Sequence, residues 1–220
     1  VALNPGYHRE LRRAASALIE RVGARPGLSL LDLACGSGAS TRALVDAAPP
    51  GASVLGLDAS AGMLEQARRK DWPVGVRFGQ AVAGRLDLDA VGAATLDGVQ
   101  ACYLFRNVPP AERDRAVREV FELLRPGGWL CVQEYSVAGD RRARAVWDAV
   151  SRLAIIPLGR LVGRTDDLYR YLWRSVVDFD SIGRFADRLD AAGFTQIAHR
   201  TAPGWQRGIL HTVVARKPDA

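Results

Sequence analysis

The chain has 220 residues, 48% of them hydrophobic, and a formal net charge of +6. This predicts one domain over 1–220 with a core of its own and excludes a globally disordered chain. No apolar run reaches the roughly 18 to 20 residues of a spanning helix, and Cys35, Cys102 and Cys131 lack metal-ligand spacing, so they read as free buried thiols of a reducing, cytoplasmic compartment.

Leu28 to Leu33 is a short apolar run, as in a strand covered on both faces. The Gly-rich stretch Ala34-Cys35-Gly36-Ser37-Gly38 follows, then a predicted helix from Ser40 to Ala48, ended by Pro49-Pro50-Gly51. Gly36 and Gly38 permit torsions and a close ligand approach that a Cβ would block. Free N–H groups at the helix start favour a carboxylate or phosphate. The third glycine of a dinucleotide fingerprint would fall at Thr41 and is absent. Asp32, just before the turn, suits an amino-bearing ligand. Val54 to Asp58 is a second apolar strand, and its terminal acid is placed to accept both hydroxyls of a ribose. Ser60 reads as the N-cap of a helix from Ala61 to Lys70. The third strand, Val76 to Ala81, ends in Gln80, whose side-chain carbonyl can accept a hydrogen bond. A fourth strand begins at Leu96-Asp97-Gly98-Val99 and ends near Cys102 or Tyr103. Ligands of open α/β sheets bind outside the carboxyl ends of the strands, so Tyr103, Arg106 and Asn107 point towards the site. A helix from Ala111 to Leu124, a turn Arg125-Pro126-Gly127-Gly128 and a fifth strand from Trp129 to Gln133, closed by Glu134-Tyr135-Ser136, complete the pattern.

The runs D-x-A-C-G-S-G from Asp32 and L-G-L-D-A-S-x-G-M-L-x-x-A-R from Leu55 resemble the first two motifs of class I S-adenosylmethionine (SAM) methyltransferases. The resemblance implies a cofactor set of Asp32, Ala34, Cys35, Gly36, Gly38, Asp58, Ala59, Met63, Gln80, Ala81 and Cys102. In it the glycine turn carries the methionyl end of SAM, Asp32 helps to hold its amino group, Asp58 binds ribose and Met63 packs on adenine. The later runs F-R-N-V, R-P-G-G, E-x-S and the Tyr169–Val176 stretch Y-x-Y-L-x-x-S-V resemble the ubiquinone and menaquinone C-methyltransferase family. Ala191-Ala192-Gly193-Phe194 and the segment Gly208-Ile209 to Lys217-Pro218 match in order and spacing. This resemblance covers residue 28 to the end. It implies a Rossmann-like α/β fold: a mainly parallel seven-stranded sheet, the last strand antiparallel, helices on both faces, and a helical substrate cap over 138–176.

Three departures stand out. Gln80 replaces the usual acid, Val213 occupies the register of the family's late histidine, and 138–166 is not closely family-like. His211 lies two residues before Val213, on the same strand face.

The implied reaction is C-methylation of a polyprenyl quinol or related phenol, with SAM as cofactor and no metal. Removing a proton beside the target carbon enriches the ring. Arg106 is the first catalytic choice, stabilising a phenolate or orienting a water; its alternative is an ion pair with Asp97 or Glu134. Asn107 can hydrogen-bond a quinol oxygen or cap the next turn. Glu134 is a base or a support for Arg106, and His211 a proton acceptor or a packed residue. Tyr103, Arg106, Tyr169 and Tyr171 form the substrate set. The apolar segment 139–176 suits an isoprenoid tail, core packing or a homodimer contact. Arg12-Arg13 and Arg141, Arg142 and Arg144 suit a peripheral membrane contact or a solvated helix face. Three alternatives stay open: O- or N-methylation of another small aromatic metabolite or a phospholipid amine, a nucleic-acid binder, and a SAM binder without turnover. Nucleic acid is not an expected partner, because no RNP-like, zinc-finger or helix-turn-helix signal accompanies the charge.

Overall fold

The computed structural model describes residues 6–155 and 166–219, and of residues 154, 155 and 166–169 only the backbone. The segment 156–165 of the expected cap, and the Tyr169 side chain, lie outside that description. Seven strands, β1 (Ser29–Leu33), β2 (Ser53–Asp58), β3 (Val76–Gln80), β4 (Leu96–Cys102), β5 (Leu124–Tyr135), β6 (Thr195–Thr201) and β7 (Leu210–Arg216), form one sheet in the order β3-β2-β1-β4-β5-β7-β6. β1 to β5 pair in parallel, while β7 runs antiparallel to both β5 and β6. The Rossmann-like expectation is met, including the reversed last strand.

β1, β4 and β5, at the middle of the sheet, are buried along most of their length because both faces are covered, whereas no residue of the edge strands β3 and β6 is fully covered. Leu30 faces a core with helices α1 (Tyr7–Val22) and α2 (Ala39–Ala47). Leu31 and Leu33 face the opposite core with α5 (Arg113–Leu123) and α8 (Ile182–Ala191). Each such leucine contributes about 1.5–3 kcal/mol by burial. Helix α1 was not anticipated, although Leu11, Ala14 and Leu18 repeat at helical spacing and are buried. It is tied to the sheet from beneath: Gln133 Nε2 donates to the Glu10 carbonyl at 2.8 Å, and the Cys131 thiol to that of Ala14 at 3.4 Å.

Small corrections follow from hydrogen bonding. Helix α3 (Ala61–Arg68) stops short of Lys70, with Ser60 as its N-cap, accepting from the Met63 N–H. Pro110–Glu112 is a 3₁₀ turn, so α5 starts at Arg113 rather than Ala111. Arg125-Pro126-Gly127-Gly128 is a bulge inside β5: between paired positions the partner strand advances from Leu96 to Gly98 while β5 advances from Leu124 to Trp129. Asp97, at the opposite end of β4 from the site, binds Arg25, Arg125 and the Ser29 N–H, so it is not the partner of Arg106. Short helix α4 (Leu88–Val91) links β3 to β4.

A third apolar cluster joins the sheet end to the cap. Helix α6 (Arg141–Val150), a π-turn (Ser151–Ile155) and helix α7 (Asp166–Val177) follow β5. Trp147 and Val176 pack there on Tyr135, Ile209 and Leu210.

Candidate active site

The strand order reverses direction between β1 and β4, and the carboxyl ends of those strands open a crevice. A cavity of about 450 Å³ lies there, walled by Ala34, Asp58, Ala59, Ala81, Tyr103 and Asn107 among others.

On the β1 side, Ala34, Gly36 and Gly38 all have left-handed backbone, with φ of 66°, 54° and 88°. Ala34 and Cys35 both donate their N–H to the Leu57 carbonyl, bending the chain over the end of β2. Gly38 is a steric requirement, since a Cβ there would stand 2.7 Å from the Trp72 ring. Asp58 joins the two motifs: one carboxylate oxygen accepts the Gly36 N–H and the other the Ser60 N–H, both at 2.8 Å. The acid is therefore oriented before any ligand arrives. Met63, half-exposed at the start of α3, reaches over the turn, its methyl 3.5 Å from where a Cβ of Gly36 would sit. Gln80 donates its amide to the Ala59 carbonyl at 3.0 Å, which leaves its own carbonyl for an incoming donor. Ala34 and Asp58 line the cavity, and with the left-handed turn, the apolar Met63 and the Gln80 carbonyl close by they fit a nucleoside-bearing cofactor such as SAM.

Asp32 does not take part in the way the motif suggested. Its side chain is fully buried, and one oxygen accepts the hydroxyls of both Ser40 and Thr41 at 2.7 Å. Burial lifts its pKa to about 6, against the lowering effect of those hydroxyls and of Gln100. It anchors the first turn of α2 from below and offers no surface to a cofactor amino group. Cys102 is likewise buried among residues packed on α1, not on the cavity wall, and burial pushes its thiol pKa up. Cys35 is buried as well, so the expected contact through its backbone is the one its position allows.

On the β4 side the chain turns sharply at Tyr103, a non-glycine residue at φ 60°. The 3₁₀ turn Phe105–Asn107 follows. Arg106 is nearly buried; its Nε lies 3.2 Å from Glu134 Oε1, and its Nη1 donates to Asn107 Oδ1 at 2.6 Å. The ion-pair alternative is thus realised with Glu134, and Arg106 meets the cavity through Asn107. Asn107 lines the cavity, donates Nδ2 to the Tyr103 carbonyl and also accepts the Tyr171 hydroxyl of α7 at 3.0 Å. Glu134 accepts the backbone N–H of Arg106 and of Tyr135 and is almost wholly buried. Burial raises its pKa and Arg106 opposes the rise. It is a support for Arg106, not a base open to the cleft.

His211 stands opposite Glu134 on β7, its Nε2 3.3 Å from the Ser136 carbonyl, and it does not line the cavity. Burial lowers its pKa and keeps the imidazole neutral. The expected proton acceptor is thus a packed residue of the hairpin.

Sequence reasoning missed a row of four rings at the strand ends. Tyr7 stacks on Tyr103 at 5.7 Å, Tyr103 on Tyr135 at 5.1 Å, and Tyr135 on Trp147 at 5.7 Å, all within 26° of parallel. Tyr7, at the start of α1, has its pKa raised to about 12 by burial. The row joins α1, the end of β4, β5 and α6, and Tyr103 brings it to the cavity wall. The helical period of α1 was the one signal that could have brought Tyr7 to notice.

Comparison with known proteins adds to this geometry. The profile of the ubiE/COQ5 methyltransferase family matches residues 3–214. The chain is 32% identical over 209 residues to the ubiquinone/menaquinone biosynthesis C-methyltransferase UbiE of Methylobacterium nodulans, covering 92% of this chain and 79% of the relative. It is 32% identical over 216 residues to the demethylmenaquinone methyltransferase of Beutenbergia cavernae, covering 98% and 83%. Among solved structures, an S-adenosylmethionine-dependent methyltransferase of Mesorhizobium loti superposes with a TM-score of 0.65 at 24% identity, over 94% of this chain and 99% of that one. Phosphoethanolamine N-methyltransferase 2 of Haemonchus contortus, in complex with S-adenosyl-L-methionine, superposes at 0.67 with 15% identity, over 94% and 53%. At these identities the structural likeness speaks for the fold.

Proposed function

The chain belongs to the ubiE/COQ5 methyltransferase family, and on that premise we propose that it transfers the SAM methyl group to a ring carbon of a polyprenyl hydroquinone of the demethylmenaquinol type. One observation carries this reading. Asp58, the acid suited to a ribose, and Asn107, the amide suited to a phenolic oxygen, open into the same cavity.

When bound, SAM supplies an electrophilic methyl carbon with a neutral thioether as leaving group. The protein's share is alignment, exclusion of water and control of one proton. Asn107 Nδ2 spends one N–H on the Tyr103 carbonyl and has a second to give. Arg106, always charged, draws on the other end of the same amide, which makes that second N–H a stronger donor. A hydroquinone oxygen held there releases its proton to solvent at the cavity mouth more readily, so the adjacent carbon is the better nucleophile; it would take the methyl as the C–S bond breaks, and its own ring proton would then pass to solvent as aromaticity returns. Glu134 keeps Arg106 in this position.

The same reading extends to where the substrate is met. α6 and the π-turn after it expose Val146 and Leu153 beside Arg141, Arg142 and Arg152. Apolar side chains flanked by arginines support contact with an anionic membrane surface, where long-tailed quinols reside. No helix of the described residues is long and apolar enough to cross a membrane.

The test is transfer of labelled methyl from SAM to demethylmenaquinol and to short alkylhydroquinones, with Asn107→Ala beside the wild type. Carbon-bound label that falls about 100-fold in the variant, with SAM affinity retained, is the expected result. Label on oxygen or on an amine, or SAM binding without transfer to any quinol, overturns the quinol assignment.

A further inference from the structure

Arg113 is the first residue of α5 and is buried, which is uncommon for a guanidinium without a task. Its Nε points at two backbone carbonyls, Phe105 at 3.2 Å and Val108 at 3.1 Å. These carbonyls flank Arg106 and Asn107. The far side of the guanidinium lies 3.5 Å from Asp180 Oδ1 and stacks over the Phe179 ring at 5.0 Å.

Asp180 is itself buried and fixed from two other directions. Arg188 of α8 donates to it at 2.7 Å, and its backbone carbonyl accepts the Ser136 hydroxyl at 2.7 Å. It follows the C-terminus of α7 by three residues, and α7 also supplies the Tyr171 hydroxyl to Asn107. The turn that carries Asn107 is therefore gripped at both ends by one stretch of chain: Tyr171 from the cleft side, and Asp180 through Arg113 from behind.

A one-turn 3₁₀ segment has little to hold its shape. Glu134 takes the Arg106 N–H and faces its Nε, which holds the middle of Phe105-Arg106-Asn107-Val108 to β5, and the Phe105 carbonyl accepts the Val108 N–H at 3.2 Å; the tilt of the turn about that attachment is left to its α5 side. A planar guanidinium that donates to both ends, held flat by Phe179 and pulled by Asp180, supplies that constraint. Lysine would keep the charge and lose the plane.

We propose that Arg113 is a positioning residue for methyl transfer: it sets the tilt of the 105–108 turn, and Asp180 keeps that tilt in register with cap helix α7. This rests on the role given above to Asn107. A misplacement of the amide by about 1 Å costs about 100-fold in rate.

The experiment compares Arg113→Met and Arg113→Lys with wild type in three measurements: kcat and KM for quinol, SAM dissociation constant, and amide hydrogen exchange of residues 104–109 with S-adenosylhomocysteine bound. Both variants are expected to lose kcat, Met by about 100-fold, with SAM affinity within about threefold of wild type. Exchange should quicken in 104–109 and stay unchanged in the 54–60 segment around Asp58. Millimolar methylguanidinium should restore part of the kcat of Arg113→Met. Unchanged kcat and exchange in a folded Arg113→Lys overturn the proposal, as does a loss of kcat that only tracks SAM binding and melting temperature. Should Arg113→Met fail to fold, Arg113→Lys decides. Should wild type methylate no quinol, the reading of function falls alone, and the exchange measurement still judges Arg113.

Discussion

Replacing Asp32 by Asn tests the most consequential correction to the motif. In the unfolded chain this carboxyl ionises near 3.8; in the folded protein burial lifts it to about 6. Between those values the folded state holds a proton that the unfolded chain has released, so stability falls as pH rises through this window. The shift corresponds to about 3 kcal/mol, fully expressed above pH 6 and absent below about pH 4. Asn cannot ionise, yet keeps an oxygen for Ser40 and Thr41. Urea unfolding at pH 4, 5, 6 and 7 should therefore show the wild type losing about 3 kcal/mol relative to Asp32→Asn across the series. Other buried carboxyls, Glu119 and Glu134 among them, contribute equally to both proteins and cancel in the difference. Parallel curves would refute the burial argument. SAM affinity gives a second reading. An acid with no exposed surface should leave the dissociation constant within about tenfold. Loss of SAM binding in a variant of normal stability would show instead that the carboxylate reaches the cofactor.

Gly38→Ala combines left-handed strain with a Cβ driven into the Trp72 ring, and should cost about 2–3 kcal/mol by urea unfolding while weakening SAM binding. Glu134→Gln keeps one acceptor oxygen for the two backbone N–H groups of Arg106 and Tyr135 and takes the counter-charge from Arg106; kcat should fall about tenfold with SAM affinity intact, measured by steady-state kinetics and calorimetry. Trp147→Ala removes a fully buried ring from the stack on Tyr135 and should destabilise the protein by about 3–5 kcal/mol by thermal or urea melting.

The parts of the fold that the sequence made legible share one property: they follow from local pattern. Leu28 to Leu33 and Val54 to Asp58 are apolar because they are covered on both faces, and they stop where a glycine or an acid stands at the crevice. Asp58 and Asn107, expected at such strand ends, do line the cavity. Asp32 misled because its true partners, Ser40 and Thr41, look like ordinary first-turn residues of a helix. For His211 and Glu134 the sequence left two roles each, because residue type suggests chemistry while burial decides it. Arg113 gave no sign, since its partners are backbone carbonyls and a guanidinium that binds carbonyls leaves no motif. The bulge at Arg125-Pro126-Gly127-Gly128 reads as a turn until the register against β4 is known.

The attachment of α1 to strands made much later in the chain sets an order on synthesis. This helix is made before the sheet, yet the side chains that grip its backbone, Cys131 and Gln133, and the ring on which Tyr7 rests, Tyr103, come only after β1 to β4. Until then Leu11, Leu18 and Ile19 can shelter only against the earlier part of their core, Leu28, Leu30, Ala43 and Leu44, and a single helix of this length is marginal in water. The nascent chain therefore carries an amphipathic helix that is only partly covered until β5 has left the ribosome, and apolar surface exposed at such a stage is prone to aggregate.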